Sequence, residues 1–562
     1  MPFSFIINET LKQDLNQKED ETMRRKKFGA MIMAVVTAVG LLTGCGGSGS
    51  DSGVNVQKGD DKTLNVGLST DIISLDYAYN YQTNTFMVMD NVNDFLLRFD
   101  EDGNLAPSLC TSWEAVDELT YVYQIRSDVK FSDGTPMTVE DVVFSMERIK
   151  DPQTASNMNF GYVNVASIEA TGEWEVTVKL SQPDSCWQYI PATPGGQITS
   201  KAYYESHKDN FGNADGKTLG TGAYKVDSWK TGSEVVLSKN EYYWGDEEIQ
   251  FEKIIFTVIS DPSAMQMALD SGQIDFTIVS DTTMNEAYEK SNNCTITAKE
   301  GTNDRFIAFN CASGPCADVN LRRAISCCID VATLTETQYG DYATAANGIM
   351  FGEVLYNLDP EEWKTRAAEI EAYDYDLEKA KEYLAASDYD GTTLDVYIRD
   401  GDVLTANTAQ AMQATCASVG ININIVKLPA ADYTSHAYGH NLDEDGNREY
   451  DMIFYGWIPD YVDPAGYITI FYESINIGEG GSNMASYVND KVDELCELQR
   501  SSTDNKERSE YLLEICELVA EDVPYKTICY PKTMYVTSNR ISYDMPGFWL
   551  YSFAIADFKL VK

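Results

Sequence analysis

The residues best placed to hold a charged ligand are grouped in Tyr455-Gly-Trp457-Ile-Pro-Asp460-Tyr461-Val-Asp463-Pro464. A carboxylate set among aromatic rings can receive an ammonium group taken out of water. The carboxylate supplies the opposite charge and the ring faces add their quadrupoles. The same residues have plainer uses. Asp460 can cap a turn beside Pro459, Trp457 can fill a core, and Asp463-Pro464 reads as turn chemistry alone.

Covalent catalysis has little to work with. The chain has three histidines, His207, His436 and His440, and it contains neither a Gly-x-Ser-x-Gly elbow nor a His-Glu-x-x-His motif. With 88 acidic residues a glycosidase-type carboxylate pair is open on composition, but nothing singles one out, and the chain reads as a non-enzyme. His436 and His440 are spaced to share a metal on a helix, yet the residues between and after them look like a loop. Cys327-Cys328 and Cys311-x4-Cys316 lack both a Cys-x2-Cys spacing and a neighbouring His. No metal and no cofactor are expected.

Twelve cysteines are present, and one has a distinct setting. Met23-Arg-Arg-Lys-Lys27 is a basic head, residues 28–43 are an apolar stretch, and Leu42-Thr-Gly-Cys45 closes it. This order is that of a secretory signal, and the stretch is short for a membrane span. Leu-Thr-Gly-Cys resembles a bacterial lipobox, which makes Cys45 the expected lipidation site and first mature residue. Residues 1–22 look unlike a signal, so translation is expected to start at Met23. Gly46 to Asp61 reads as a flexible tether. The eleven other cysteines are an odd number on mostly apolar faces, and are expected to be buried free thiols. The net charge of −46 repels nucleic acid and anionic lipid surfaces, which excludes both as partners.

These groups need a scaffold, and 562 residues imply more than one core. Thr63 to Leu68 alternates as a first strand. Thr138 and Asp141 form a capping-box pair ahead of Val142, Val143, Met146 and Ile149 on one helical face. Asp261-Pro262 starts a helix that ends near Gly272, and a strand follows over 274–278. Asp402 to Val419, Gly420 and a strand over 421–426 make a second such unit. Asp318 opens a helix through Cys328, and Asn505 to Glu521 is the last long one. The pattern is α/β with mixed sheets.

Ordered blocks then carry a resemblance. They are Leu105-Ala-Pro-Ser-Leu-Cys-Thr-Ser-Trp113, Leu119-Thr-Tyr-Val-Tyr-Gln-Ile-Arg126, the run from Val129 to Ser145, Gly220-Thr-Gly-Ala-Tyr-Lys225, Asn240-Glu-Tyr-Tyr-Trp-Gly245, Phe309-Asn310, the run from Val319 to Asp330, and Gly456-Trp457. From about residue 62 to the end, the chain resembles the family 5 extracellular solute-binding proteins of ABC transporters, which include dipeptide, oligopeptide and nickel binders. The resemblance implies a two-lobed fold like that of type II periplasmic binding proteins. Lobe I would be 62–302 with an extra subdomain at about 86–200, lobe II 303–532, and 533–562 a return segment to lobe I, after a leader at 1–44 and the tether at 45–61.

It also implies a function: capture of a small ligand, foremost a di- or oligopeptide, between hinged lobes for an ABC permease. The protein would stand on the outer face of a bacterial cytoplasmic membrane. A non-peptide organic solute or a nickel chelate is the alternative ligand, and a secreted hydrolase is a remote one. Asp460 matches the position that receives the peptide ammonium in peptide-binding relatives, with Trp457 and Tyr455 as cleft walls. Arg399, whose loop lies at the cleft in relatives, and Arg305, beside the first crossing into lobe II, are candidates for a ligand carboxylate. Tyr79 and Tyr81 would line the lobe I side. Some peptide binders carry Arg two residues before the Gly-Trp pair, where this chain has Phe454. The chain also has Tyr77 where a Pro is usual.

Overall fold

The computed structural model describes residues 61–80, 82–279, 282–546 and 553–561. Cys45 and Tyr81 lie outside the described residues. Among those described, no helix is long and apolar enough to cross a membrane.

Two large mixed sheets organise the chain. The first has seven strands in the order Cys294–Lys299, Thr533–Ser538, Phe276–Val279, Thr63–Leu68, Lys253–Val258, Glu234–Lys239 and Tyr224–Lys230. Thr63–Leu68 runs parallel to both Lys253–Val258 and Phe276–Val279. Leu64, Val66 and Leu68 are all fully buried, as expected for a central strand. The second sheet has six strands in the order Ala343–Ala345, Tyr525–Pro531, Arg305–Phe309, Met452–Tyr455, Leu394–Arg399 and Ile423–Leu428. A separate antiparallel sheet, Cys110–Asp117, Thr120–Ile125, Glu175–Leu180 and Val165–Gly172, is inserted into the first half of the chain.

Local sequence explains the connecting helices. Thr138 and Asp141 cap each other reciprocally at the start of Val139–Lys150. Asp261 caps Pro262–Asp270, with proline at the first helical position, and Gly272 follows at φ +71°. Asp402 caps Val403–Val419, and Gly420 at φ +101° ends it in the left-handed region that favours glycine. Asp318 caps Val319–Ser326. The eleven described cysteines are free, nine of them buried.

The sheets are joined by two short crossings. Residues 300–304 lead from Cys294–Lys299 into Arg305–Phe309, and Lys532 alone leads from Tyr525–Pro531 back into Thr533–Ser538. Strand directions then fix what lies at this junction. The carboxyl ends of Thr63–Leu68 and Phe276–Val279 in one sheet, and of Leu394–Arg399, Ile423–Leu428 and Met452–Tyr455 in the other, all point toward the crossings. In open α/β sheets this is the edge where loops assemble binding sites. Contacts bridge it: Tyr342 OH donates to Glu289 (2.5 Å), Thr282 Oγ1 donates to the Gln338 carbonyl (2.8 Å), and Lys532 pairs with Glu300 (3.0 Å).

One sequence reading is corrected. Asp463 is more than a turn residue. It is fully buried and holds Arg508 through two bonds of 2.9 Å, with Arg508 also almost fully buried. Tyr189, from the segment after the inserted sheet, donates to Asp463 Oδ2 (3.2 Å) and stacks on Tyr461 at 5.0 Å. Asp463 Oδ1 also accepts the Ala465 N–H. The pattern Asp-Pro signals a local turn but carries no trace of a partner 45 residues away. His436 lies in the last turn of the helix Ala430–Ala437, and the chain between it and His440 leaves the helix after Ala437 and continues as turn and loop, as expected. The His436 ring is buried edge-on against Tyr397.

A buried pair that loses one member strands the other charge, at a cost of about 3–5 kcal/mol. Asp463→Asn and Arg508→Met are each expected to lower unfolding free energy by about that amount in urea titrations. A loss below about 1 kcal/mol for both would contradict the role given to this pair.

Candidate functional site

The site is best built from Asp304, a residue sequence reasoning did not single out. Asp304 is fully buried in the first crossing. Its Oδ1 accepts the Trp457 N–H (2.7 Å) and its own N–H donates to the Trp457 carbonyl (3.2 Å). Burial pushes its carboxyl well above the usual carboxylate range, opposed by the Trp457 N–H and the Arg305 charge. Tyr467 OH adds a donor to the Thr302 and Trp457 carbonyls (2.6 and 3.1 Å). The crossing and the segment leaving Met452–Tyr455 are thereby tied together.

That segment presents the predicted residues in sequence. Tyr455 is half-buried, stacked on Tyr433 (5.5 Å, 18°) and edge-on to Tyr438 (6.1 Å). Trp457 stands perpendicular to Phe471 at 5.5 Å, and its Nε1 is buried with no partner among the described residues. Ile458 is exposed, Pro459 is buried over Gly466, and Asp460 is half-buried where the chain turns toward Tyr461. The Pro459–Gly466 contact is close, since a Cβ on Gly466 would lie 3.2 Å from the proline ring. Asp460 is thus held between a strand end on one side and the helix Ala465–Tyr472 on the other.

The two candidate arginines separate. Arg399 ends its strand exposed to solvent. Arg305 is half-buried in the neighbouring strand register, where Phe306 pairs with Tyr455. Its Nη1 lies against Gly456, where a Cβ would come within 2.2 Å of it, and Nη1 donates to the Asp304 carbonyl (2.8 Å). Only glycine at 456 admits this arrangement. Beside Arg305 lies a small recess lined by the polar Gln338, Tyr339, Thr405, Thr408 and Tyr455 and by the apolar Leu334, Phe454 and Ile528. Burial and the nearby Cys529 thiol push the Tyr339 hydroxyl above its ordinary range, so it stays a neutral donor. Of these residues the sequence flagged Arg305 and Tyr455. Asp402 located the helix that delivers Thr405 and Thr408, while Gln338 and Tyr339 gave no signal.

On the facing edge, the loop after Thr63–Leu68 is fastened by Asp76. It pairs with Arg148 of Val139–Lys150 through bonds of 2.5 and 3.1 Å, both side chains buried, and caps the short turn Tyr77–Tyr79. Arg148 stacks on Tyr204 at 4.4 Å and lies 6.0 Å from the Tyr79 ring. Tyr79 remains 43 % exposed, so its ring is available at this edge. Among the described residues no group of three or more metal-ligating side chains converges. The His440 side chain is half-exposed beside Glu479 at 3.9 Å.

Comparison with known proteins bears on the family and the fold. A family model described as bacterial extracellular solute-binding proteins, family 5 Middle, matches residues 104–479. The chain is similar to the "Probable D,D-dipeptide-binding periplasmic protein DdpA" of Escherichia coli K12, at 26 % identity over 86 % of this chain and 91 % of the relative. It is similar to the "Glutathione-binding protein GsiB" of Escherichia coli O1:K1, at 24 % over 82 % and 88 %. Among solved structures, a periplasmic binding protein DppA from Helicobacter pylori in complex with the peptide STSA superposes with a TM-score of 0.74. It has 23 % identity, covering 89 % of this chain and 98 % of that one. NikZ from Campylobacter jejuni in complex with Ni(L-His) gives 0.73, at 21 % identity over 89 % and 99 %. The mixed α/β architecture is that of type II periplasmic binding proteins.

Proposed function

Because the chain belongs to the bacterial extracellular solute-binding proteins of family 5, the substrate-binding components of ABC transporters, we propose that it captures a di- or oligopeptide at the edge where its two large sheets meet. The observation that carries the reading is the placement of Asp460. A half-buried carboxylate lies between Trp457 and Tyr461 in the segment leaving the carboxyl end of Met452–Tyr455, and the loop that carries Tyr79 leaves the carboxyl end of Thr63–Leu68 in the other sheet. A peptide ammonium enclosed there exchanges water for a carboxylate and ring faces. Asp460 is the ammonium anchor, Trp457, Tyr455 and Tyr79 are walls, and Arg305 and Arg399 are the cations available to the rest of the ligand.

In this reading residues 62–302, with the insert at about 86–200, and 533–562 form one lobe, and 303–532 form the other. Residues 300–304 and Lys532 are the hinge strands about which the lobes close. Relatives with peptide and glutathione in their names, and a D,D-dipeptide binder, fit a zwitterionic ligand better than a sugar. Capture takes place outside the cytoplasm, with the protein delivered by the signal ending at Cys45 and held by lipid on that residue.

Two experiments check this. In a thermal-shift screen, alanine di- and tripeptides should raise the melting temperature in a concentration-dependent way. At a hundredfold excess over Kd the stabilisation is about 2.7 kcal/mol. A response to sugars or to nickel–histidine alone would replace the peptide. Separately, Cys45→Ala expressed in a Gram-positive host should leave the membrane fraction or keep its signal. Unchanged processing and membrane retention would remove the anchor.

A further inference from the structure

The contacts that join the two sides of the crossings are unequal. Tyr342–Glu289 and Lys532–Glu300 each rest on an exposed glutamate, where water competes. Another set comes from residues 184–190, the segment that follows the inserted sheet, and it is largely shielded from water.

This segment is held at two places. Trp187 roots it in the insert. Its ring is almost fully buried, donates from Nε1 to Tyr123 OH (3.1 Å) and stands edge-on to Tyr162 at 5.3 Å. The residues on either side of Trp187 reach into 303–532. The Ser185 N–H donates to the Arg500 carbonyl (2.8 Å) and Ser185 Oγ to the Gln499 carbonyl (3.3 Å). Both carbonyls belong to the last turn of the helix Asp490–Ser501, where a helix leaves acceptors without partners of its own. Tyr189 OH reaches Asp463 (3.2 Å), and the Tyr189 ring lies parallel to Tyr461, 11° apart in plane. The Cys186 thiol and the Tyr461 hydroxyl share a hydrogen bond. Tyr461 directly follows Asp460, so one short turn carries both the proposed ligand anchor and the seat of this segment.

We propose that residues 184–190 are an interlobe latch: seated on Tyr461–Asp463 and on the end of Asp490–Ser501, they hold the lobes closed and set how tightly a ligand binds without touching it. Opening takes the Ser185 donors from the helix end and the Tyr189 hydroxyl from Asp463, which keeps Arg508. Water replaces each donor, so the net preference for closure is modest and a ligand can tip it. A protein that is closed for part of the time binds in proportion to that fraction. The inference rests on the two-lobe reading, since the insert and the 461–463 turn must belong to bodies that move apart.

The test uses the full chain with Tyr189→Ala and Tyr189→Phe. Tyr203→Phe is the control, because the Tyr203 hydroxyl bonds the Gly216 carbonyl inside lobe I. Small-angle scattering without ligand should give Tyr189→Ala a larger radius of gyration than wild type and control. Alkylation by iodoacetamide, read by peptide mapping, should speed up at half-buried Cys186 by about tenfold in Tyr189→Ala and by less in Tyr189→Phe. Buried Cys416 should be unaffected, and its acceleration alongside Cys186 would mean general loosening and overturn the latch. With trialanine as probe, calorimetry should find Tyr189→Phe about three- to tenfold weaker than wild type. An unchanged radius for Tyr189→Ala overturns the proposal whatever Cys186 does, and so does an unchanged trialanine affinity beside a wider radius. If Tyr189→Ala fails to fold, an unchanged Cys186 rate in Tyr189→Phe overturns it. Trialanine that does not bind wild type, beside a wider Tyr189→Ala, keeps the latch and ends the peptide reading.

Discussion

The structure turns on the reciprocal bond between Asp304 and Trp457. A chain that crosses twice between two sheets must place its loops at the junction with some precision, and the crossing itself is only five residues long. Asp304 fastens it, taking the Trp457 N–H on its carboxylate and giving its own N–H to the Trp457 carbonyl. Several residues of the candidate site are neighbours of that bond in the chain. Arg305 follows it in the strand and lies over Gly456, Tyr455 precedes it, and Asp460 stands three residues beyond Trp457. A fully buried carboxyl is costly unless bonded, so the crossing has a strong preference for this one arrangement.

Charge is handled in two ways. Structural charges are neutralised inside the protein. Asp463–Arg508 ties the inserted segment through Tyr189 to the 461–463 turn, and Asp76–Arg148 fastens the Tyr79 loop. These pairs stand on either side of the junction and leave little freedom to the loops they hold. At the junction itself, Arg305 lines a recess with Tyr339, Tyr455, Thr405 and Thr408, and Asp460 is half-buried. Desolvation raises the energy of any unmatched charge.

The sequence made much of this legible, for reasons that differ by scale. Helix boundaries were readable because capping is local: Thr138 with Asp141, Asp261 with Pro262, and Asp402 with Gly420 each announce an end within a few residues. The family's ordered blocks carried the architecture. Long-range partners were silent. Nothing near Asp463 points to Arg508, and nothing near Gln338 shows that its side chain lines the Arg305 pocket. Arg305 and Arg399 look alike in sequence, each at a strand end, and only the register with Tyr455 and the glycine beneath distinguish them.

The claim that a ligand ammonium is received by Asp460 is tested most directly by a double cycle. Calorimetry would compare wild type and Asp460→Asn, each with a free peptide and its N-acetylated form. Asn keeps the shape and removes the charge, and acetylation removes the charge from the other side. Each change alone should weaken binding by about 3–5 kcal/mol, on the order of a hundredfold to a few thousandfold, and the two losses should not add. Equal affinity of Asp460→Asn and wild type for a peptide that binds would contradict the account.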